Sequence, residues 1–526
     1  MWRRLLKELT EWADNPDRMV LLIEGVRQCG KTYILKELGR TRFGGNMLYV
    51  DFEKDREVHS LFDSDLDVHR IINELGIYYN KDISPGRTLI IFDEIQECDR
   101  AVTSLKYFTD DTKEYHVACA GSLIGLAINK ESFPFGKLER KRLFPMTFLE
   151  FLRAEGEEKL FDYLDDKDPT EPISQPLLAM ASTHFRNYYN VGGMPKAVSS
   201  WVKYHSIPKV TAIHSSILRD YLNDFSKHGS NIMNQLVSIW GSIPSQLMKN
   251  NRRMIMKDVL PRGRLEVFNA PLQWLENAGL IYCVHHTDTA LMPLSEVKNN
   301  SIFKVYPCDV GLLRTMSGTP PSFVLSDSDE YKLIKGAMAE TYAVCSIKAS
   351  GYDDDICYWK EGDSEEIDVI ISSAKGVVPV EVKYGQASSG KSLSKYCSLK
   401  GPEVSVLMSM NNASRRNHLM LPIFLAETLI PYLNADEKDR IIPISDPSLP
   451  FSMQIEESDW ETDTDGAYSL TIPYVRHNRR SPSNIQVYRQ DADGGLKMVS
   501  VGIRISPGDD VILSSTSCFR GRLSII

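Results

Sequence analysis

Short apolar runs without alternation punctuate the first third of the chain: Met19-Val-Leu-Leu-Ile23, Met47-Leu-Tyr-Val50, Thr88-Leu-Ile-Ile-Phe92 and His116-Val-Ala-Cys-Ala120. Such runs are the mark of strands covered on both faces, and helix-forming stretches such as Thr32-Tyr-Ile-Leu-Lys-Glu-Leu38 lie between them. The alternation predicts a parallel α/β sheet with ligand-binding groups at the carboxyl ends of its strands. After Gly192-Gly-Met-Pro195 the pattern becomes helical, and residues 232–286 read as three helices followed by an apolar strand, Leu280-Ile-Tyr-Cys-Val284. That is the layout of a winged helix. An apolar helix over 334–344 then precedes two alternating segments, 365–371 and 377–383. Beyond Leu433, short alternating runs such as Tyr468-Ser-Leu-Thr-Ile472, separated by Gly494-Gly495 and Ser506-Pro-Gly-Asp509, predict a small all-β appendage.

The turn after the first strand is Gly25-Val-Arg-Gln-Cys-Gly30-Lys31-Thr32, a G-x-x-x-x-G-K-[ST] phosphate loop between a strand and a helix. Its glycines permit close backbone approach, Lys31 can reach β- and γ-phosphate oxygens, and the Thr32 hydroxyl can ligate Mg²⁺. The run 88–92 delivers Asp93-Glu94 at its carboxyl end. Asp93 is expected to hold the Mg²⁺ shell, and Glu94 to orient and deprotonate the attacking water. Ser122, after the strand 116–120, stands either as a γ-phosphate sensor or as a simple helix-starting turn. Nucleotide contacts are thus assigned to Gly25, Val26, Arg27, Gln28, Cys29, Gly30, Lys31, Thr32, Tyr33, Asp93 and Ser122, with Lys31 and Glu94 as catalytic groups. No N-K-x-D guanine signature falls in a suitable place, which favours ATP.

Composition narrows the setting. A chain of 526 residues exceeds one core and implies three or four domains. A net charge of −9 gives no global sign of nucleic-acid binding, so any such contact must be local. The basic residues Lys249, Arg252, Arg253, Lys257, Arg262 and Arg264 within the winged-helix-like stretch are the candidates for DNA contact, against the plain reading of a solvated face. Nine scattered cysteines without a C-x-x-C pair indicate a reducing compartment. No signal-type N-terminus and no long uncharged apolar run are present, so a cytoplasmic protein without membrane insertion is expected.

A second constellation lies downstream. In Glu365-Glu-Ile-Asp368-Val-Ile-Ile371 and Val377-Val-Pro-Val-Glu381-Val-Lys383, strand parity places Ile367, Val369 and Ile371 on one face and Asp368 on the other. A hairpin turning at Ala374-Lys375 sets Val369 opposite Val380, Ile367 opposite Val382, and Asp368 opposite Glu381. Two facing carboxylates repel unless a cation lies between them, and Mg²⁺ or Mn²⁺ suits such oxygen donors. Lys383 would then orient or activate a water. The alternative is a solvated charged face with Glu366 and Lys383 paired diagonally.

Val26-Arg-Gln-Cys-Gly-Lys-Thr32, Phe92-Asp-Glu-Ile-Gln96, Ala120-Gly-Ser122 and Leu143-Phe-Pro-Met-Thr-Phe-Leu-Glu-Phe151 together resemble the prokaryotic AAA-type (AAA_14-like) P-loop ATPases that carry a C-terminal domain of unknown function (DUF4143-like). Gly192-Gly-Met-Pro195, Trp274-Leu-Glu-Asn-Ala-Gly-Leu280, Lys304-Val-Tyr-Pro-Cys-Asp-Val-Gly-Leu-Leu313 and Val380-Glu-Val-Lys-Tyr-Gly385 extend the resemblance over about four fifths of the chain. Where that family shows a Gly-Arg pair after the sensor strand, this chain reads Gly136-Lys137, with Arg140 and Arg142 following, and a solvated basic loop is expected there. The D-(x)n-E-x-K hairpin resembles the restriction-endonuclease-like core, and Glu340 matches the acidic residue such folds carry on a preceding helix. The resemblance implies a metal set of Asp368, Glu381 and Glu340 beside that of Thr32 and Asp93.

The expected fold is multidomain α/β. Residues 1–155 form a P-loop parallel-sheet ATPase domain, 156–227 a helical region, 228–316 a winged-helix-like domain, 317–435 a nuclease-like domain and 445–526 a β-rich appendage. Two functions stand open: an ATPase that controls a DNA-associated, nuclease-like domain, and a non-catalytic nucleotide switch or scaffold. The expected ligands are ATP, Mg²⁺ and a second Mg²⁺ or Mn²⁺; DNA, a protein at the β appendage and further copies of the chain are candidate partners.

Overall fold

Because each uninterrupted apolar run presents side chains to helices on both faces, the first runs assemble as an all-parallel sheet. Its strands are β1 (Val20–Glu24), β2 (Met47–Asp51), β3 (Leu89–Asp93), β4 (His116–Ala120) and β5 (Leu138–Arg142), ordered β2-β3-β4-β1-β5. Helices α1 (Leu5–Asp14), α2 (Lys31–Arg42), α3 (Val68–Tyr78) and α4 (Asp99–Asp111) cover it. Leu21, Ile23 and Ile91 pack with Ile34, Leu35 and Leu38 of α2. Val20, Leu22, Ile90 and Phe92 face the opposite way, toward Ile71, Leu75 and Phe108. This computed structural model describes residues 1–121, 134, 136–226, 230–259, 265–325, 329–362, 365–387, 390–415, 417–435, 451–455, 457–462, 467–472, 485–491, 496–506 and 511–525. The chain forms two units, Met1–Asn434 and Ala435–Ile526.

Strand β5 corrects the expectation of a basic loop. Leu138-Glu-Arg-Lys-Arg142 pairs in parallel with β1 at the sheet edge, where one flank is open and charged side chains are tolerated. Arg140 pairs with Glu24 at 2.6 Å, Lys141 with Glu8 at 2.9 Å and Lys137 with Asp110 at 2.7 Å.

The middle of the first unit is helical: α5 (Phe148–Ala154), α6 (Glu158–Asp165), α7 (Gln175–Val191), α8 (Pro195–Tyr204), α9 (Ile207–Phe225), α10 (Ser230–Leu247), α11 (Met256–Val259) and α12 (Leu265–Asn277). A hairpin follows, β6 (Ile281–His286) and β7 (Asn299–Pro307), with the short α13 (Leu294–Val297) between its strands and α14 (Val310–Met316) after them. The hairpin is not a free wing. Strand β6 pairs in parallel with β8 (Cys357–Glu361) through His285↔Cys357 and His286↔Tyr358, and so belongs to a sheet of eight strands.

Two segments that the sequence sets more than a hundred residues apart meet in the core. The Gly193 N–H donates to Oδ2 of Asp309 at 2.5 Å, and the same carboxylate caps α14 by accepting from Leu312 N–H at 2.9 Å. A Cβ at Gly193 would overlap the Met146 backbone, whose N–H donates to Gly193 O at 2.7 Å.

Helix α15 (Lys332–Ala349) precedes the carboxylate hairpin, β9 (Glu365–Ser373) and β10 (Gly376–Val382); α16 (Lys391–Lys400), β11 (Val406–Ser409), β12 (Ser414–Arg415), β13 (Leu419–Pro422) and α17 (Leu429–Asn434) complete the unit. The mixed sheet runs β12-β13-β11-β10-β9-β8-β6-β7. The turn falls at Ala374-Lys375, and Val380 lies opposite Val369, in the expected register. Parity then breaks. A register shift in the β8–β9 pairing lets Trp359 face Ile367 while Cys357 faces Ile370. Ile367 therefore packs with Ile370, Trp359 and Leu393, whereas Val369, Ile371, Val380 and Val382 line the other face. The expectations that Ile367 shares a face with Val369 and meets Val382 are corrected by this bulge.

In the second unit, the described strands form two antiparallel sheets around Trp460, Leu470, Ile472, Val487, Val511, Leu513, Phe519 and Leu523. This is the small β-rich appendage the alternating runs predict. No described helix is long and apolar enough to cross a membrane.

Candidate functional site

The phosphate loop leaves β1 through Gly25 at φ 147° and enters α2 through Gly30 at φ 100°, both in the region that favours glycine. A Cβ at Gly25 would collide with the Leu143 carbonyl, which accounts for glycine there on steric grounds alone. The Lys31 ammonium donates to the Gly25 and Val26 carbonyls at 2.8 and 3.1 Å, folded over the loop that carries it. Thr32 Oγ1 donates to Asp93 Oδ2 at 2.7 Å, although β4 separates β1 from β3 in the sheet. Asp93 ends β3 and Thr32 lies in the first turn of α2 beyond the loop that follows β1, so the loop and the strand end converge at the carboxyl edge of the sheet.

Asp93 is 4% exposed and holds a second contact that sequence reasoning missed. The Tyr49 hydroxyl donates to the same Oδ2 at 2.8 Å, and burial first, then Asp93, pushes that phenol's pKa well up. Tyr49 is legible only as one strand residue among others. Glu94 adopts φ 48°, rare for a residue with a side chain, and its Oε2 accepts from Gln96 Nε2 at 2.6 Å. Ser122 lies outside the described residues.

Other loop side chains are engaged within the chain. Arg27 forms an ion pair with Asp224, and Gln28 Nε2 donates to Asp220 Oδ2 at 2.7 Å, both acceptors being on α9. The Tyr221 hydroxyl adds a bond to Arg27 O at 3.0 Å. Val26 and Cys29 are buried in the core, and Arg3 holds the Cys29 carbonyl at 2.9 Å. Tyr33 is 46% exposed on the outer side of α2 and bonds the chain's amino terminus. From Val26 to Cys29 the loop therefore offers a ligand its backbone, while its side chains anchor the loop to the helical region. The hydroxyl of Thr32 and the carboxylate of Asp93 are adjacent hard oxygen donors, a set that fits Mg²⁺.

The carboxylate cluster is arranged otherwise than expected. Asp368 Oδ2 accepts from Val382 N–H at 2.8 Å; Glu381, 2% exposed, accepts from Leu393 N–H at 3.2 Å and pairs with Lys383 at 2.7 Å. Glu340, also 2% exposed, is ion-paired with Arg252, lies 3.4 Å from the Lys304 ammonium, and accepts from the Tyr306 hydroxyl at 2.6 Å. Lys304 is fully buried and also pairs with Glu366, which Lys360 approaches at 3.4 Å. Burial alone would lower the Lys383 ammonium; Asp368 and Glu381 outweigh it and raise its pKa. A lysine so held suits charge neutralisation better than proton abstraction.

Among the described residues no three carboxylate, imidazole or thiol groups gather into a metal-holding set. Arg252 and Lys304 set positive charge against Glu340, and Lys383 sets it against Glu381. The expected diagonal Glu366–Lys383 pair is corrected, because Glu366 turns to Lys304 and Lys360 and Lys383 to Glu381. That Arg252 and Lys304 pair with these carboxylates is not announced by the sequence. In the basic stretch named for DNA contact, Lys249 pairs with Asp258 and Arg252 with Glu340, while Arg262 and Arg264 lie outside the described residues. Lys257 is exposed.

Comparison with known proteins follows the same division. The AAA domain family AAA_14 matches residues 17–152, a domain of unknown function (DUF8612) matches 182–322, and another (DUF4143) matches 335–425. No protein of curated function matches the chain. Among solved structures, the Walker-type ATPase PABY2304 of Pyrococcus abyssi is similar at 13% identity and TM-score 0.37, covering 59% of this chain and 94% of that one. The Aeropyrum pernix ORC1 protein, solved in complex with DNA, is similar at 14% identity and TM-score 0.26, covering 62% and 95%. PCH-2 of C. elegans is similar at 10% identity and TM-score 0.24, covering 42% and 68%. The chain thus joins a stretch that matches the AAA_14 domain to a later stretch that matches DUF4143.

Proposed function

We propose that this protein is a Mg²⁺-dependent ATPase whose nucleotide state is relayed to a DNA-associated, nuclease-like domain in the second half of the first unit. The observation that carries the reading is the Thr32–Asp93 hydrogen bond, which joins phosphate loop and acidic strand end. Thr32 and Asp93 would hold Mg²⁺, which when bound supplies charge neutralisation at the β- and γ-phosphates. Lys31 exchanges its two loop carbonyls for phosphate oxygens, and Glu94, fixed by Gln96, orients the attacking water and takes its proton. The path outward is α9, because Asp220, Tyr221 and Asp224 bond the loop at Gln28 and Arg27. Mg²⁺-dependent phosphate release, abolished by Lys31→Ala, tests the assignment.

A second reading concerns the carboxylate cluster alone. The engagement of Glu340 by Arg252 and Lys304 favours a nuclease-like fold used for binding and not for cleavage. Mn²⁺-dependent DNA cleavage that disappears in both Asp368→Ala and Glu381→Ala would decide for an active nuclease; its absence in the wild-type protein decides for the binding fold. In either case the domain limits near 155, 227, 316 and 435, and a protein partner for the β appendage, belong to the same proposal.

A further inference from the structure

Strand β2 ends at Asp51, and its parallel register with β3 sets Asp51 directly opposite Asp93 at the carboxyl edge of the sheet. Like charges so placed repel, and each carboxylate needs a donor or a cation close by. Asp51 has Lys54, whose ammonium stands at 2.7 Å and whose N–H donates to Oδ1 at 3.1 Å. Asp93 has hydroxyls instead. Its Oδ2 accepts from Thr32 and from Tyr49, while Oδ1 accepts from the Glu94 N–H at 3.2 Å. Two hydrogen bonds on one oxygen occupy the lone pairs with which that oxygen would hold a cation or its water.

Tyr49 lies two residues before Asp51 and so on the same face of β2. Its hydroxyl stands 2.8 Å from Asp93 Oδ2 and 3.2 Å from Asp51 Oδ2. A phenol carries one donatable hydrogen, so it serves one of these carboxylates at a time. The Lys36 ammonium of α2 lies 3.5 Å from the Tyr49 ring centre and holds the ring against the helix that leaves the phosphate loop. With the ring fixed, rotation of the O–H alone moves the hydrogen from one acceptor to the other.

From this arrangement we infer that Tyr49 and Asp51 are positioning residues for the Mg²⁺ site: the Tyr49 hydroxyl caps Asp93 Oδ2 and passes its hydrogen bond to Asp51 when a cation engages Asp93. No covalent bond changes. The inference rests on the Mg²⁺-dependent reading of Thr32 and Asp93 and adds the residues that release Asp93. The test is binding of a fluorescent ATP analogue to the full chain across a Mg²⁺ titration, with the same binding measured in EDTA. Tyr49→Phe removes the competing donor and should lower the half-saturating Mg²⁺ roughly three- to ten-fold, with affinity in EDTA unchanged. Asp51→Asn weakens the alternative acceptor and should raise the half-saturating Mg²⁺ at least about three-fold. In the Tyr49→Phe background the Asp51 change should lose most of its effect, because the donor it acts through is gone. An Asp51→Asn effect of full size in that background shows Asp51 acting by charge alone and overturns the relay. A Mg²⁺ dependence unmoved or weakened by Tyr49→Phe overturns it too, and both results leave the Mg²⁺-nucleotide reading standing. Unfolding midpoints identify the folded variants; should Tyr49→Phe not fold, a half-saturating Mg²⁺ unmoved by Asp51→Asn overturns the relay by itself. A wild-type chain that does not bind the analogue, or binds it indifferently to Mg²⁺, removes the reading and the relay together.

Discussion

The Thr32 hydroxyl donates to Oδ2 of Asp93 at 2.7 Å across a sequence separation of 61 residues, and the Tyr49 hydroxyl meets the same oxygen at 2.8 Å. One carboxylate thus ties the phosphate loop to two neighbouring strands. Its accepting lone pairs are where a bound cation would compete.

Turnover should depend on this junction in separable ways. Lys31→Ala should lower Mg²⁺-dependent phosphate release by about 100-fold or more, as expected when a charge-stabilising donor is lost. Glu94→Gln should keep binding of a fluorescent ATP analogue while losing turnover. Hydrolysis by Glu94→Gln at the wild-type rate would remove Glu94 from the mechanism, and tight binding without turnover in the wild type would mark a switch and not an enzyme.

Arg252 and Glu340 form a buried ion pair, with side chains 17% and 2% exposed. Arg252→Met should destabilise the first unit by about 3–5 kcal/mol, since removal of one partner leaves a buried charge. The double change Arg252→Met/Glu340→Gln should cost less than the sum of the two single changes. Urea unfolding of the four proteins gives the coupling, and strict additivity would show that the pair does not interact in solution.

The close approach at Gly193 is steric. Gly193→Ala should lose at least about 3 kcal/mol, in the range of severe core overpacking, because the new Cβ would meet backbone and not a flexible side chain. A thermal midpoint unchanged from wild type would contradict the Met146 contact.

Glu427 supplies a pH signature. Its pKa is pushed up to about 7, first by burial and against the pull of Arg4, while its Oε1 accepts from Leu149 N–H at 3.0 Å. A carboxyl whose folded pKa exceeds its unfolded value of 4.5 contributes stability fully present below about pH 4.5 and lost as pH rises through about 7. Glu427→Gln keeps an acceptor and removes the titration. The variant should therefore gain on the wild type between pH 5 and 8, by up to about 3 kcal/mol at about 1.4 kcal/mol per unit. Denaturation midpoints at the two pH values check it, and a parallel response of both proteins would refute it.

Much of the nucleotide site was legible because its signals are local. A glycine that must accept φ 147° next to the Leu143 carbonyl, or a five-residue apolar strand that ends in Asp93, is specified by a few adjacent residues. Tyr49, Arg252 and Lys304 were not legible, because nothing in their own segments distinguishes a strand tyrosine or a surface cation from a buried partner. Strand β5 was missed for a related reason. An edge strand lacks the apolar run that burial on both faces imposes.

The sequence by itself determined the parallel sheet, the phosphate loop and its acidic partner, the hairpin turn at Ala374-Lys375 and the β-rich appendage. Each follows from periodicity or from backbone geometry over a handful of residues. Only the tertiary structure decided that a bulge turns Ile367 to the other face, that Arg27 and Gln28 reach α9, and that Glu340 is neutralised by Arg252 and Lys304. Charge is satisfied in three dimensions, so a carboxylate pattern that asks for a cation does not say which group, a metal or a distant side chain, will provide it.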